Sequence, residues 1–215
     1  MSTLLHMDAS VRADSLSRQL SGRFAERWRS GHPEGTVVRR DLGANPLPHV
    51  TEGQVNHLMY QSGSTEDAHS EVVLRDERLL DELRSADLLL LATPMYNFTI
   101  PATVKSWIDQ IAWPGRAFDP VAGRGLLDVP AVVILTRGGG YGPGSPRADW
   151  NFQDTYLRKV FEFVGMTDIE FVVAELTMFT GENSPDQDLK AKGEQSLKEA
   201  VTRIDELTPL THPSG

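Results

Sequence analysis

The chain has 215 residues, a formal net charge of −9 and no cysteine. A domain of this length buries roughly 70% of the surface its unfolded chain exposes, so it needs no disulfide or structural metal, and without thiols it has no thiol catalysis, zinc thiolate site or iron–sulfur cluster. The acidic balance argues against nucleic acid and anionic membrane as partners, no apolar run approaches the roughly 20 residues of a membrane helix, and no signal-peptide pattern opens the sequence; the expectation is a cytoplasmic protein.

Residues 3–6 predict a short apolar strand, followed by a small, polar stretch over 7–14. From Ser15 the pattern is helical, with Leu16, Leu20, Phe24 and Trp28 on one face until Gly31, His32 and Pro33 stop it. A second strand over 36–39 is edge-like, because Arg39, Arg40 and Asp41 crowd its end. The weakly periodic stretch 43–70 predicts an excursion with at most one short helix, and a connection this long commonly covers a site or meets a partner. An amphipathic helix over 72–85 leads into Leu88, Leu89, Leu90, Leu91, Ala92 and Thr93, a continuous apolar run that reads as a strand buried on both faces. Pro101 suits the first turn of the next helix, whose apolar face is Val104, Trp107, Ile108 and Ile111 and whose end is Trp113, Pro114 and Gly115. After a turn-rich connection over 118–127, a fourth strand at 130–136 runs into a glycine-rich loop. A helix from about 150 to 164 stops at Gly165, a fifth strand spans 169–175, and a mostly polar helix covers 186–207.

Five strands alternating with helices predict one α/β domain over residues 1–215, a three-layer sandwich around a five-stranded parallel sheet. The flavodoxin-like strand order 2-1-3-4-5 fits the count, and it brings the loops after the first, third and fourth strands to the switch point where a mononucleotide sits.

The first of these loops carries Ser10, Ser15 and Ser17 around a helix start. Hydroxyls and free backbone N–H groups there make an anion site, although ordinary serine capping accounts for the same residues. With neither a GxGxxG pattern nor a Walker lysine, the loop suits the single phosphate of flavin mononucleotide (FMN) better than a triphosphate. Asp8 and Asp14 stand close by and repel phosphate unless they point away. The second loop, Pro94, Met95, Tyr96, Asn97 and Phe98, offers the aromatic walls and polar edge that a flavin ring needs, and a plain proline turn is the competing reading. The third, with Arg137, Gly138, Gly139, Gly140, Tyr141 and Gly142, lets the backbone approach a planar ring and aim N–H groups at it, or is simply a flexible surface loop. His6 reads as a packed strand residue; His32, His49, His57, His69 and His212 lack metal-ligand spacing, and no metal is expected. Phe161, Phe163, Phe171 and Trp107 read first as core.

With those residues in view, the chain resembles the FMN-dependent NADH-azoreductases, a group within the flavodoxin-like NAD(P)H:quinone oxidoreductases. The matching segments are Asp41 and Leu42 with Ala44, Asn45 and Pro46; the Pro94 to Phe98 element; Thr136 to Gly139; and Phe163 to Asp168, leading to Phe171, Ala174 and Glu175. The resemblance implies that Ser10, Ser15, Leu16 and Ser17 hold the FMN phosphate and ribityl end. It implies that Met95, Tyr96, Asn97 and Phe98 lie along the isoalloxazine, with Thr136, Arg137, Gly138 and Gly139 at its pyrimidine side. It further implies a homodimer with each flavin at the interface, where partner aromatics at the positions of Phe163 and Phe171 close the substrate pocket. Leu16 departs from a commonly polar position, so binding there rests on backbone N–H groups, and Trp107, Trp113 and the 140–147 loop also differ from the family pattern.

The expected activity is a ping-pong exchange in which NADH or NADPH gives hydride to the flavin, leaves, and is replaced by a quinone or azo acceptor. Asn97 and the Gly138 and Gly139 amides are the orienting groups, with Tyr141 beside the acceptor. Two rivals share the fold: an electron carrier like flavodoxin, and a flavin reductase or pathway-specific tailoring reductase.

Overall fold

The computed structural model describes residues 2–60, 71–182 and 184–207, with the side chains of all these except 57–60 and 71–73. His69 and His212 therefore lie outside the described residues, as do the His57 side chain and the end of the 43–70 excursion. The strands are β1 (Thr3–Asp8), β2 (Thr36–Asp41), β3 (Leu88–Pro94), β4 (Phe118–Asp119), β5 (Arg124–Gly125), β6 (Ala131–Thr136) and β7 (Ile169–Ala174). The helices are α1 (Leu16–Gly31), α2 (Glu52–Tyr60), α3 (Glu71–Arg84), α4 (Ala102–Ile111), α5 (Gln153–Val164) and α6 (Gln187–Leu207). The five long strands form one parallel sheet in the order β2-β1-β3-β6-β7, which is the predicted flavodoxin-like topology.

Alternation along the buried strands sorts the core into two layers. Leu4, Leu88, Leu90, Ala92, Val132 and Ile134 pack under α1 and α6, against Phe24, Trp28 and Ile204. Leu5, Met7, Leu89, Leu91, Val133 and Leu135 pack against α3, α4 and α5, where Leu79, Trp107 and Phe161 meet them. Because β3 is central and covered on both faces, its leucines are fully apolar in sequence and nearly absent from the surface in the fold. The edge strand β2 has only half-buried and exposed residues, as its three charged positions require.

Two strands run longer than the sequence reading, β1 through Met7 and Asp8 and β2 through Asp41, and two further elements differ from it. The turn-rich stretch after α4 contains an antiparallel hairpin, β4 with β5, seated on the end of α5: Leu127 N–H donates to the Val164 carbonyl at 2.8 Å, and a Cβ at Gly125 would stand 2.0 Å from the Gly165 nitrogen. A two-residue strand carries too little alternation to register as a pattern. The start of α5 also moves, since Ala148–Trp150 form a 3-10 turn and the helix proper begins at Gln153. Gly165 caps that helix in the left-handed region, at φ 101°, as its position suggests.

The two-layer packing has a direct test. Leu90→Ala removes a fully buried side chain from the face under α1, with an expected cost of about 2–5 kcal/mol read as a shift of the urea midpoint; a change below about 1 kcal/mol would contradict the packing described.

Candidate functional site

β1 runs parallel to β3 as far as the loop, where Ala9 N–H donates to the Ala92 carbonyl at 2.9 Å. Ser10 is buried, and its hydroxyl accepts from Arg12 N–H at 3.2 Å. The chain then turns so that Ser15 caps α1, accepting from Arg18 N–H at 3.4 Å, with the Ser17 hydroxyl 3.3 Å from that of Ser15. The N–H groups of Leu16 and Ser17 have no partner among the described residues. Two unpaired donors, two hydroxyls and the positive end of a 16-residue helix are therefore gathered at one point, which is the chemistry of an anion site.

The carboxylates that seemed to threaten this site point elsewhere. Asp8 is buried beneath the loop, accepting from Ser21 Oγ at 2.7 Å and from Arg39 at 3.0 Å, with His6 Nε2 at 3.5 Å and Arg18 at 3.6 Å. Burial alone would raise its pKa; hydrogen bonding and charge from His6, then the Ser21 and Arg39 bonds, outweigh that and hold it at about 2. His6 is thus a packed strand residue, as expected, and its ring faces a carboxylate. Asp14 pairs with Arg12 at 3.2 Å on the surface.

The second loop joins the third through Met95 N–H, which donates to the Thr136 carbonyl at 2.8 Å. Tyr96 and Thr99 then exchange both backbone hydrogen bonds, at 2.9 and 3.2 Å, around Asn97 and Phe98, whose φ angles are 48° and 72°. Positive φ at both central residues is the tightest hairpin turn available, accessible to Asn but strained for Phe. The turn projects Tyr96, Asn97 and Phe98 outward, with the Asn97 amide making no hydrogen bond among the described residues. Beside it opens a cavity of about 520 Å³ lined by Tyr96, Asn97, Ile100, Lys105 and Tyr156.

In the third loop the structure redirects one expected residue. The Arg137 guanidinium is turned into the protein, donating to Glu175 at 2.8 Å, Asp154 at 2.7 Å and Gln153 at 3.1 Å, while its N–H donates to the Ala174 carbonyl and its carbonyl accepts from Thr177. Each guanidinium nitrogen of Arg137 therefore has a partner inside the protein, and the residue shapes the loop from behind. The carbonyls of Gly138 and Gly139 accept from Met178 and Leu176, leaving the N–H groups of both glycines without a partner among the described residues. The Tyr141 ring lies across Gly139, where a Cβ would stand 3.1 Å from its hydroxyl. Glu175 fixes the far end of the loop by accepting from the Tyr141 and Gly142 N–H groups, both at 3.0 Å. Thr136 ends β6 directly before these residues.

The three loops meet. Thr103 Oγ1 donates to the Ala9 carbonyl at 3.4 Å, Gln153 links Arg137 to the Thr93 carbonyl, and Phe98 packs edge-on against Tyr141, with centroids 6.1 Å apart. Phe98 also meets Trp150 edge-on at 5.1 Å, and Phe152 N–H donates to the Phe98 carbonyl at 3.0 Å. Trp150 thus extends the aromatic wall, and Phe152 ties its segment to the turn through the backbone. Sequence reasoning missed them because no pattern links a helix-preceding turn to a loop some fifty residues away; the exposed aromatics just ahead of α5 were the available signal.

Phe163 and Phe171 are not brought to these loops by their own chain. Phe163 lies ten positions beyond Gln153 on α5, about 15 Å along the helix axis, where it is 52% exposed and packs on Phe118. Phe171 sits mid-strand in β7, half-buried under Arg158. Trp107 and Trp113 are buried against the core side of α4 and its end, and neither faces the loops with a hydrogen-bonding ring nitrogen.

With the geometry in place, known proteins supply the family. A sequence model for the flavodoxin-like fold matches residues 2–200. An FMN-dependent NADH:quinone oxidoreductase of Streptomyces coelicolor is 38% identical over 222 residues, spanning 100% of both chains. The FMN-dependent NADH:quinone oxidoreductase 2 of Trichormus variabilis is 38% identical over 206 residues, covering 94% of this chain and 99% of its own. The crystal structure of an azoreductase from Bacillus anthracis superimposes with a TM-score of 0.82 at 25% identity, covering 98% of this chain and 100% of that one. The chain is accordingly a flavodoxin-like oxidoreductase and belongs to the family of the FMN-dependent NADH:quinone oxidoreductases.

The charge beneath the first loop makes a pH prediction. A carboxyl held at about 2 rather than its ordinary 3.8 stabilises the fold above the ordinary value and loses that contribution as pH falls through the lower one, about 2 kcal/mol in all. The difference in thermal midpoint between the natural protein and Asp8→Asn is expected to be full at pH 6 and to shrink between pH 4 and pH 2; a difference independent of pH would contradict the assignment.

Proposed function

We propose that this chain binds FMN at the meeting point of the three loops and catalyses hydride transfer from NADH to a quinone or azo acceptor. FMN is the cofactor named for its relatives, and the residues present fit it. The observation that carries the reading is the set of donors without a partner among the described residues: Leu16 and Ser17 N–H at a helix start, Gly138 and Gly139 N–H in the third loop, and the Asn97 amide in the second. The first pair suits a phosphate dianion; the others suit the polar edge of a flat heterocycle, whose faces the aromatic loops cover. Buried Ser10 and the hydroxyls of Ser15 and Ser17 complete the anion end, Leu16 contributing through its backbone alone. Met95, Tyr96 and Phe98 line the ring, with Thr136 behind it.

When bound, FMN supplies the relay by which nicotinamide and acceptor exchange electrons, the two using one ring face in turn in a ping-pong cycle. The chain's part is to hold planar molecules parallel and to keep donors where negative charge develops. The Gly138 and Gly139 N–H groups do this without reorganisation, because the carbonyls of the same two peptides, those of Arg137 and Gly138, are already bonded to the Thr177 and Met178 N–H groups. Asn97 orients the ring edge from a turn that cannot slide, and Tyr141, held through its own N–H by Glu175, flanks the acceptor. Arg137 positions the loop and does not touch the flavin.

We further propose one domain over the whole chain, a cytoplasmic setting and a homodimer. No helix among the described residues is long and apolar enough to cross a membrane. Phe163, exposed on a large apolar ring away from its own site, and Phe171 are the aromatics that each subunit lends to the other's pocket.

Steady-state oxidation of NADH with menadione, an azo dye or free FMN as acceptor tests the reading and separates it from its rivals. A carrier turns over with none of them unless a reductase is added, and a flavin reductase prefers free FMN. Asn97→Ala is expected to lower kcat/KM with menadione about tenfold, the worth of one hydrogen bond in a dry site, while the thermal midpoint stays within a few degrees. Unchanged kinetics would remove Asn97 from the site.

A further inference from the structure

Arg18 lies on α1 outside the motif that marks the phosphate loop, yet it is the residue most heavily bonded to that loop. Its side chain is 12% exposed, and its guanidinium makes two hydrogen bonds of 2.6 Å to the Asp41 carboxylate, one of 2.6 Å to the Ser10 carbonyl and one of 3.0 Å to the Arg12 carbonyl. Asp41 is itself fixed at the end of β2, accepting from the Gly43 and Ala44 N–H groups at 3.1 and 2.9 Å. Gly43 presses so closely that a Cβ there would stand 2.0 Å from the Ser10 carbonyl oxygen. The end of the second strand thus buttresses the loop that follows the first.

A planar trans peptide places its carbonyl and its N–H on opposite sides. Drawing the Ser10 carbonyl toward Arg18 turns Val11 N–H away from it, and drawing the Arg12 carbonyl does the same for Ala13 N–H. Neither N–H has a partner among the described residues. The loop's other restraints are the Ser10 hydroxyl bond to Arg12 and the exposed Arg12–Asp14 ion pair. Without the guanidinium, a short run of small and exposed residues would have to be ordered each time an anion binds.

We infer that the Arg18–Asp41 pair is a positioning device that pre-forms residues 10–13 for the terminal phosphate and thereby sets how strongly the protein prefers FMN to riboflavin. The inference rests on the FMN reading above. Arg18 acts through the loop's carbonyls, and Lys cannot replace it, because one ammonium cannot span a carboxylate and two carbonyls in fork geometry.

The two flavins differ only in the phosphate, so the ratio of their affinities isolates this loop from the ring site. Flavin-free full-length protein is titrated with FMN and with riboflavin, following quenching of flavin fluorescence, alongside thermal melting. Arg18→Lys and Asp41→Asn are each expected to lower the FMN-to-riboflavin affinity ratio about tenfold or more, with riboflavin binding within twofold of the natural protein. Arg39→Gln is the control, since Arg39 pairs with Asp8 in the same network but touches no loop carbonyl, and it is expected to keep the ratio. A ratio preserved in both Arg18→Lys and Asp41→Asn, or FMN and riboflavin affinities falling together, would overturn the inference. A natural protein that binds neither flavin would instead defeat the cofactor reading.

Discussion

The site depends on the capture, from behind, of carbonyl oxygens in two loops at the carboxyl edge of the sheet. Each peptide group there has both a donor and an acceptor to satisfy, and a loop left to itself divides them between water and chance contacts. Here the acceptors are taken inward: those of Ser10 and Arg12 by the Arg18 guanidinium, those of Arg137, Gly138 and Gly139 by the N–H groups of residues 176–178. What remains on the open side is a row of unpaired N–H groups. A surface made this way carries fixed positive dipoles without needing a lysine, which suits a protein with a net charge of −9 that must still hold an anionic ligand.

The supporting groups are mostly charged, and their placement is specific. Arg18 with Asp41 and Arg137 with Glu175 and Asp154 are pairs in which geometry is bidentate or multiply bonded, so removing one partner strands the other in a poorly solvated place. Such pairs contribute less to net stability than apolar packing would, but they fix register, and register is what a flavin-sized site requires. Strain is confined to the same edge: Asn97, Phe98 and Leu176 are the non-glycine residues with positive φ among those described, and each stands in or directly behind a loop of the site. The apolar layers on either face of β3 supply the rigidity against which these local costs are set.

Much of this was legible from residues alone. The continuous apolar run of β3, the fourfold spacing of Leu16, Leu20, Phe24 and Trp28, and Gly165 at a helix end each express a local rule, and five such strands in alternation leave few parallel topologies. The donors of the first and third loops were also visible, because a serine cap and a glycine run have local meanings. What could not be read was the direction of long side chains. The family resemblance put Arg137 at the pyrimidine side of the flavin, and three acceptors, on α5 and at the end of β7, turn its guanidinium inward. Arg18 drew no notice in the sequence, and its role depends on the end of β2 closing on it. Both depend on contacts between distant segments, as does the packing of Trp150 on Phe98, and single-sequence periodicity carries no information about those.

The most direct measurement is visible absorption of the purified protein loaded with FMN, before and after NADH is added without air. The expected result is one tightly held flavin per chain whose yellow absorption bleaches on addition of NADH and returns when a quinone is supplied. A chain that retains no FMN, or a bound flavin whose spectrum NADH leaves untouched, would contradict the assignment of these loops to flavin chemistry.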